Sequence, residues 1–247
     1  MKNKVVLVTG GSSGLGKSIA EEFASNNYNV IFTYLNHEND ANNIKLEIEN
    51  KYKVKCDCFK CDLSNEDDIN ELYKQVFNIY DNISVLVNNA AISIDTTFNM
   101  KTKKNFMKIL DVNLVGTFLL TRLFADKMFK NKKGKIINIS SNNAIDAYYE
   151  YSLDYDASKS ALINLTHNLA NHYAPYLNVN CVCPGWINTN MNKNLSDGFK
   201  LKEIDKILLN RFAEPNEIAN LVYFLASDDA NYINDSIIKI DGGIKHE

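Results

Sequence analysis

The chain has 247 residues, 45% of them hydrophobic and 23% charged, enough to bury a substantial core in one large α/β domain spanning 1–247. A formal net charge of −3 with no block of Lys or Arg argues against a nucleic-acid partner. No apolar run approaches the ~20 residues needed to span a bilayer, and the one at the N-terminus is too short for a signal peptide, which argues against a membrane partner.

The predicted elements alternate along the whole chain. A short β-branched strand over Lys4 to Thr9 leads through a glycine turn into a helix over Gly14 to Asn26, whose apolar residues Leu15, Ile19, Ala20, Phe23 and Ala24 recur at helical period. Strands follow at Asn29 to Tyr34 and Val54 to Phe59, separated by a helix over Glu38 to Lys51. The pattern continues with a helix at Glu66 to Tyr80, a strand at Ser84 to Asn88, a long helix around Phe106 to Phe129 and a strand at Lys135 to Ser140. A helix from Leu153 to Ala174, a strand at Asn178 to Val182, a looser segment, a helix at Asn216 to Ala226 and a strand at Ser236 to Asp241 complete it. Such alternation predicts right-handed crossovers and a Rossmann-type, doubly wound parallel sheet of about seven strands, with helices on both faces.

Five cysteines are an odd number, and Cys56, Cys58, Cys181 and Cys183 alternate within apolar stretches as buried strand residues do. A zinc site at Cys56, Cys58 and Cys61 lacks paired spacing and a nearby His, and the four histidines, His37, His167, His172 and His246, have no ligand-like spacing. No metal is expected, and a reducing cytoplasm fits best. Lys132, Lys133 and Lys135 read as a solvated helix end.

Chemistry is expected at Tyr155-Asp156-Ala157-Ser158-Lys159. An i, i+4 pair shares one helix face, and an ammonium beside a phenol favours the phenolate, turning Tyr155 into a usable general acid or base. Thr9-Gly10-Gly11-Ser12-Ser13-Gly14-Leu15-Gly16 sets glycines where a backbone must approach a phosphate, directly before a helix N-terminus that favours an anion. A simple chain reversal is the alternative for the glycine turn, and a solvated helix face for the Tyr and Lys pair.

Taken together, these stretches resemble the short-chain dehydrogenase/reductase family nearly end to end. Thr9 to Gly16 is similar to its Thr-Gly-x-x-x-Gly-x-Gly signature, Asp62-Leu63 to its adenine-contacting element, and Asn88-Asn89-Ala90-Ala91 to its Asn-Asn-Ala-Gly turn, with Ala91 in place of the final Gly. Asn113 resembles the catalytic Asn, Ile139-Ser140-Ser141 the serine element, and Pro184-Gly185-Trp186-Ile187-Asn188-Thr189 the turn at the nicotinamide end. Ser141, the second serine, matches the catalytic one; it precedes Tyr155 by one residue more than in many members, which leaves Ser140 as an alternative.

The resemblance implies hydride transfer from a nicotinamide to a carbonyl carbon. Tyr155 would donate the proton, Ser141 hydrogen-bond the oxygen, Lys159 lower the Tyr155 pKa and hold the nicotinamide ribose, and Asn113 anchor a water chain. It also implies that the cofactor is held by Gly10, Gly11, Ser12, Ser13, Gly14, Leu15, Gly16, Tyr34, Asp62, Leu63, Asn89, Ala90, Tyr155, Lys159, Pro184, Gly185, Ile187 and Thr189. NAD users often carry an acid at the end of the second strand, whereas Phe32 to His37 has no carboxylate before Glu38, which favours NADPH; Ser13 stands where many NADPH users have Arg.

Within the family the chain is most similar to bacterial 3-oxoacyl-[acyl-carrier-protein] reductases, through Thr33 to Glu38, Arg211 to Pro215, Phe224 to Ser227 and Ile240 to Gly243. That implies a small-molecule or acyl-carrier-bound carbonyl substrate, reduction of a 3-oxoacyl thioester, and a homotetramer or homodimer paired through the long helix and Leu153 to Ala174. Departures cluster in the loop Asn142 to Asp154, which lacks glycine and carries several tyrosines and three carboxylates. Another small carbonyl, a sugar or a polyol is the competing substrate. A non-catalytic NADPH-binding sensor or scaffold is the reading from another class; intact Ser141, Tyr155 and Lys159 speak against it.

Overall fold

A computed structural model of the protein describes residues 4–146, 149–189, 192 and 195–245. Met1 to Asn3, Ala147, Tyr148 and His246 lie outside the described residues.

Seven parallel strands form one sheet in the order β3-β2-β1-β4-β5-β6-β7. They are β1 (Val5–Val8), β2 (Asn29–Tyr34), β3 (Cys56–Lys60), β4 (Val85–Asn88), β5 (Gly134–Ile139), β6 (Leu177–Pro184) and β7 (Ile237–Ile240). Around them lie α1 (Gly14–Ser25), α2 (Glu38–Tyr52), α3 (Glu66–Ile79), α4 (Lys103–Leu110), α5 (Thr117–Lys130), α6 (Leu153–Tyr173), α7 (Asp197–Asp205) and α8 (Pro215–Ala226). Because strand side chains alternate, β1 sends Val6 and Val8 into one core with α1, α2 and α8, and Val5 and Leu7 into another with α3, α5 and α6. Strand order reverses between β1 and β4, so a crevice opens at their carboxyl ends, the usual ligand position in a doubly wound sheet.

Three differences from the expected elements have physical causes. The long helix is three pieces: α4, a single π-helical stretch at Asp111–Gly116, and α5. Apolar periodicity does not mark such a stretch, because the eight residues of α4 and the six that follow are too few to show the change in stripe phase that one extra residue per hydrogen-bonded ring introduces. The looser segment contains α7, which buries no residue fully and so carries no apolar stripe to be read. Lys135 is not part of a solvated helix end: it belongs to β5, is buried, and donates from Nζ to the Ser227 carbonyl at 2.6 Å.

Cys56 and Cys58 lie on β3 and Cys181 and Cys183 on β6, and all five cysteines are free thiols. Among the described residues no three His, Cys, Asp or Glu side chains are grouped to hold a metal ion, and no helix is long and apolar enough to cross a membrane.

Candidate active site

The end of β1 and the turn after β4 are locked together by one threonine. Thr9 Oγ1 accepts from the Asn89 and Ala90 backbone N–H groups, both at 3.0 Å, while Asn89 Nδ2 donates to the Thr9 carbonyl at 2.9 Å. The glycine loop between them and α1 needs its glycines for two different reasons. Gly10 and Gly14 sit at φ +67° and +52°, where a side chain is strained, and a Cβ on Gly16 would lie 2.2 Å from the Gly10 carbonyl oxygen. The N-cap residue, Ser13, makes no side-chain cap, so its hydroxyl does not take up the first-turn N–H groups of α1. Ala91, by contrast, is absent from the left-handed residues, so nothing about its backbone calls for the glycine expected there.

These elements border a cavity of about 810 Å³. Gly10, Ser12, Ser13, Gly14, Leu15 and Gly16 form one wall, Asn89 and Ala90 the next, and Tyr34, Asp62 and Leu63 close one end. Ser141, Tyr155, Lys159, Pro184, Gly185, Ile187 and Thr189 surround the other end. Two expected residues are not on the wall: Gly11 packs beneath it, donating its N–H to the Thr33 carbonyl at 3.0 Å, and Asn113 is buried behind it. A glycine-floored cradle under a helix N-terminus, in a cavity of this volume, fits a dinucleotide.

At the Tyr34 end, Thr33, Leu35, Asn36 and His37 also line the cavity. The first carboxylate beyond β2, Glu38, interacts with the Tyr34 phenol, whose pKa is raised by burial first and Glu38 second. The Asp62 carboxylate accepts from the Ser64 N–H at 2.9 Å and hydroxyl at 2.7 Å, which shapes the turn after β3.

At the other end, the two serines of the strand terminus differ in what they do. Ser140 Oγ donates to the Lys159 carbonyl at 2.8 Å and holds α6, whereas Ser141 Oγ accepts from the Asn143 N–H at 3.2 Å. Lys159 Nζ donates to the Ile139 carbonyl at 2.7 Å and lies 5.4 Å from the centroid of the Tyr155 ring. The expectation that this ammonium pulls the phenol pKa down is not met in the protein by itself. Burial pushes Tyr155 up, with Asp156 and Asp95 adding to it, and burial lowers Lys159 to about 8. Desolvation outweighs the neighbouring charge at both groups.

Asn113 is a tether. Its Nδ2 donates to the Ile92 carbonyl (3.0 Å) and Ser158 Oγ (3.1 Å), and its Oδ1 accepts from the Ile92 N–H (2.9 Å), joining the loop after β4 to α6. The loop after β6 is held by Gly185 N–H to the Ile240 carbonyl at 3.1 Å and Asn188 N–H to the Ala213 carbonyl at 2.8 Å. A Cβ on Gly14 would sit 3.6 Å from the Thr189 methyl, so this loop reaches across to the glycine turn.

Several supporting residues were not expected from the sequence. Asp156, inside the Tyr155 to Lys159 motif, binds Asn143 Nδ2 (2.9 Å), the Tyr149 N–H (3.2 Å) and Ser152 Oγ (2.9 Å), and so ties the loop from Ser141 to α6. Lys101 Nζ meets Asp154 Oδ1 and the Ile94 carbonyl, each at 2.6 Å, clamping the loop after β4 onto the start of α6. A chain of buried side chains, Thr121, Asn88, Asn138 and Thr166, links α5, β4, β5 and α6 at 2.7 to 2.9 Å. For Asn88 and Asn138 the sequence signal is a polar residue inside an apolar strand, which marks burial with a partner and does not name the partner.

Comparison with known proteins places this geometry in context. A family profile described as enoyl-(acyl carrier protein) reductase matches residues 10–245. The chain is 40% identical over 245 residues to a 3-oxoacyl-[acyl-carrier-protein] reductase of Aquifex aeolicus, covering 99% of this chain and 98% of that one. It is 34% identical over 245 residues to the enzyme of that name from Thermotoga maritima, covering 99% and 98%. Among solved structures it is similar to L-sorbose reductase of Gluconobacter frateurii complexed with NADPH and L-sorbose, with a TM-score of 0.92, 25% identity, and 99% and 97% coverage.

Proposed function

The chain belongs to the short-chain dehydrogenase/reductase family of NAD(P)-dependent oxidoreductases, and on that premise we propose that it reduces the ketone of a 3-oxoacyl thioester to the 3-hydroxyacyl form, using NADPH. The observation that carries the reading is the convergence of Ser141, Tyr155 and Lys159 on one end of the cavity whose other walls are the glycine loop and the turn after β4. When bound, the nicotinamide supplies the hydride that reaches the carbonyl carbon. Ser141 donates a hydrogen bond to the carbonyl oxygen, and Tyr155 delivers the proton to that oxygen as charge develops on it. Lys159 holds the ribose hydroxyls and feeds Tyr155 with protons. Asn113, bonded to Ile92 and Ser158, joins the loop after β4 to α6 and would anchor the water chain that re-protonates through Lys159.

Preference for NADPH over NADH rests on the Thr33 to His37 wall, which offers hydroxyl, amide and imidazole groups and no carboxylate. Glu38, which could have repelled a 2′-phosphate, interacts with the Tyr34 phenol instead. The similar L-sorbose reductase is itself described in complex with NADPH. That structure also supports a second reading, reduction of a sugar ketone. The free thiols support a reducing, cytoplasmic location, and the single sheet supports one cofactor-binding domain over 1–247.

The test is NADPH consumption with acetoacetyl thioester beside a panel of ketoses, together with fluorescence titration of NADPH and NADH. Expected are turnover of the thioester, tighter NADPH binding, and a loss of about 10² to 10⁴ in rate for Tyr155→Phe with cofactor affinity kept. An unchanged rate in Tyr155→Phe, or tighter binding of NADH, overturns the corresponding assignment.

A further inference from the structure

The loop between Ser141 and Tyr155 carries a feature that the hydride-transfer chemistry does not use. Tyr149 lines the cavity and is braced on three sides: its ring centroid lies 5.3 Å from Tyr151, 5.9 Å from Trp186 and 5.6 Å from Phe199 of α7. Trp186 in turn stacks on Phe212 at 5.6 Å with 19° between planes, and its Nε1 donates to Glu203 Oε2 of α7 at 3.2 Å. The backbone is pinned as well. Tyr149 N–H donates to Asp156 Oδ2 at 3.2 Å, and the Tyr149 carbonyl accepts from the Ser152 N–H at 2.9 Å. A ring held by three aromatic neighbours, on a backbone fixed by the Asp156 carboxylate, cannot swing aside for a bulky chain without breaking that packing.

The charge pattern here is one-sided. Ile94 and Trp186 share this part of the cavity lining with Tyr149, and the carboxylate is Asp95, close enough to act on both Tyr149 and Tyr155. Among the described lining residues the lysines are Lys159, which belongs to the reacting group, and Lys108 of α4. An anionic group beside the ketone would meet the like charge of Asp95.

We propose that Tyr149 is a specificity-determining residue that closes the substrate end, so that the site accepts a short, uncharged 3-oxoacyl end and turns away medium chains and free 3-oxo acids. This rests on the thioester reading above. Each methylene that a rigid wall excludes is worth about 10-fold or more in kcat/KM. The experiment compares acetoacetyl and 3-oxooctanoyl thioesters and free acetoacetate, with the unmodified enzyme and with Tyr149→Ala, Tyr149→Leu and Tyr149→Phe, and records NADPH affinity by fluorescence for each.

Expected for the unmodified enzyme is a kcat/KM at least ~10-fold higher for the four-carbon than for the eight-carbon thioester, and no measurable turnover of acetoacetate. Tyr149→Ala should raise the eight-carbon rate at least ~10-fold, while Tyr149→Phe keeps the wild-type ratio and NADPH affinity is unchanged throughout. Tyr149→Leu, which fills more of the space, covers the case in which the alanine variant does not fold. An eight-to-four-carbon ratio that is the same in the unmodified enzyme and in whichever of these two variants folds overturns the inference alone. Failure of the unmodified enzyme to reduce either thioester overturns the thioester reading and the inference with it.

Discussion

At Lys159 the requirements of folding and of catalysis pull in opposite directions. The residue is 2% exposed, and burial lowers its pKa from 10.5 to about 8. A group held more weakly protonated in the folded state than in the unfolded chain costs stability wherever both states carry the proton. That cost is present in full below pH 8, roughly 3 kcal/mol at 1.36 kcal/mol per pH unit, and is relieved as pH rises from about 8 towards 10.5, where the unfolded chain still holds its proton. Lys159→Met should therefore stabilise the cofactor-free protein at pH 7 by about 1–2 kcal/mol, after loss of the hydrogen bond to the Ile139 carbonyl, while abolishing turnover. Thermal unfolding at pH 7 and pH 9.5 checks this: the advantage of the variant should shrink at the higher pH. A variant less stable than the parent at pH 7 would show that the ammonium is better compensated than its burial implies.

Among the elements, the π-helical stretch Asp111–Gly116 is the one that most directly shapes the site. It carries Asn113 inward to Ile92 and Ser158 and brings Gly116 against the turn after β3. A Cβ on Gly116 would lie 1.9 Å from the Leu63 carbonyl oxygen, with backbone rather than a flexible side chain in the way. Leu63 lines the cavity end that also holds Asp62. Gly116→Ala should accordingly cost about 1–3 kcal/mol through overpacking, although alanine favours helix, and should weaken NADPH binding by displacing Leu63. Calorimetry and cofactor titration measure the two effects; a stabilised variant with intact affinity would mean that α5 can shift away freely.

On the scale of the whole molecule, the apolar surplus of the long helix is smaller than its sequence suggests. Leu120 and Phe124 are buried in the core and Val112, Leu119 and Leu123 pack against it, which leaves Val115 at 45% and Phe118 at 38% exposure on the outer face. Phe129 near the end of α5 and Leu153 at the start of α6 are exposed apolar side chains as well. We propose that it pairs across a two-fold axis in a homodimer or homotetramer, where each exposed side chain is covered twice. Light scattering at micromolar concentration should give a dimer or tetramer mass, and Phe118→Glu, which removes about 1.5–3 kcal/mol of burial on each side, should lower it. A monomeric parent protein would remove the proposal.

The order of strands and helices, the glycine turn at Gly10 to Gly16 and the spacing of Tyr155 and Lys159 could all be read from the chain, because helical period, strand alternation and turn chemistry are properties of a few neighbouring residues. The motif order from Thr9 to Thr189 was legible for the same reason, and it pointed to the family that the relatives later showed. What depended on the tertiary structure were matters of burial and of pairing over long sequence separations. Asn88 meets Asn138 across 50 residues and Lys101 meets Asp154 across 53. Asp156 has partners that no local pattern names, because the fold returns Asn143 and Tyr149 to it. The pKa shift at Tyr155 was expected with the wrong sign because sequence spacing reveals which charge stands next to a phenol but not how much water has been removed from around it, and desolvation is the larger effect.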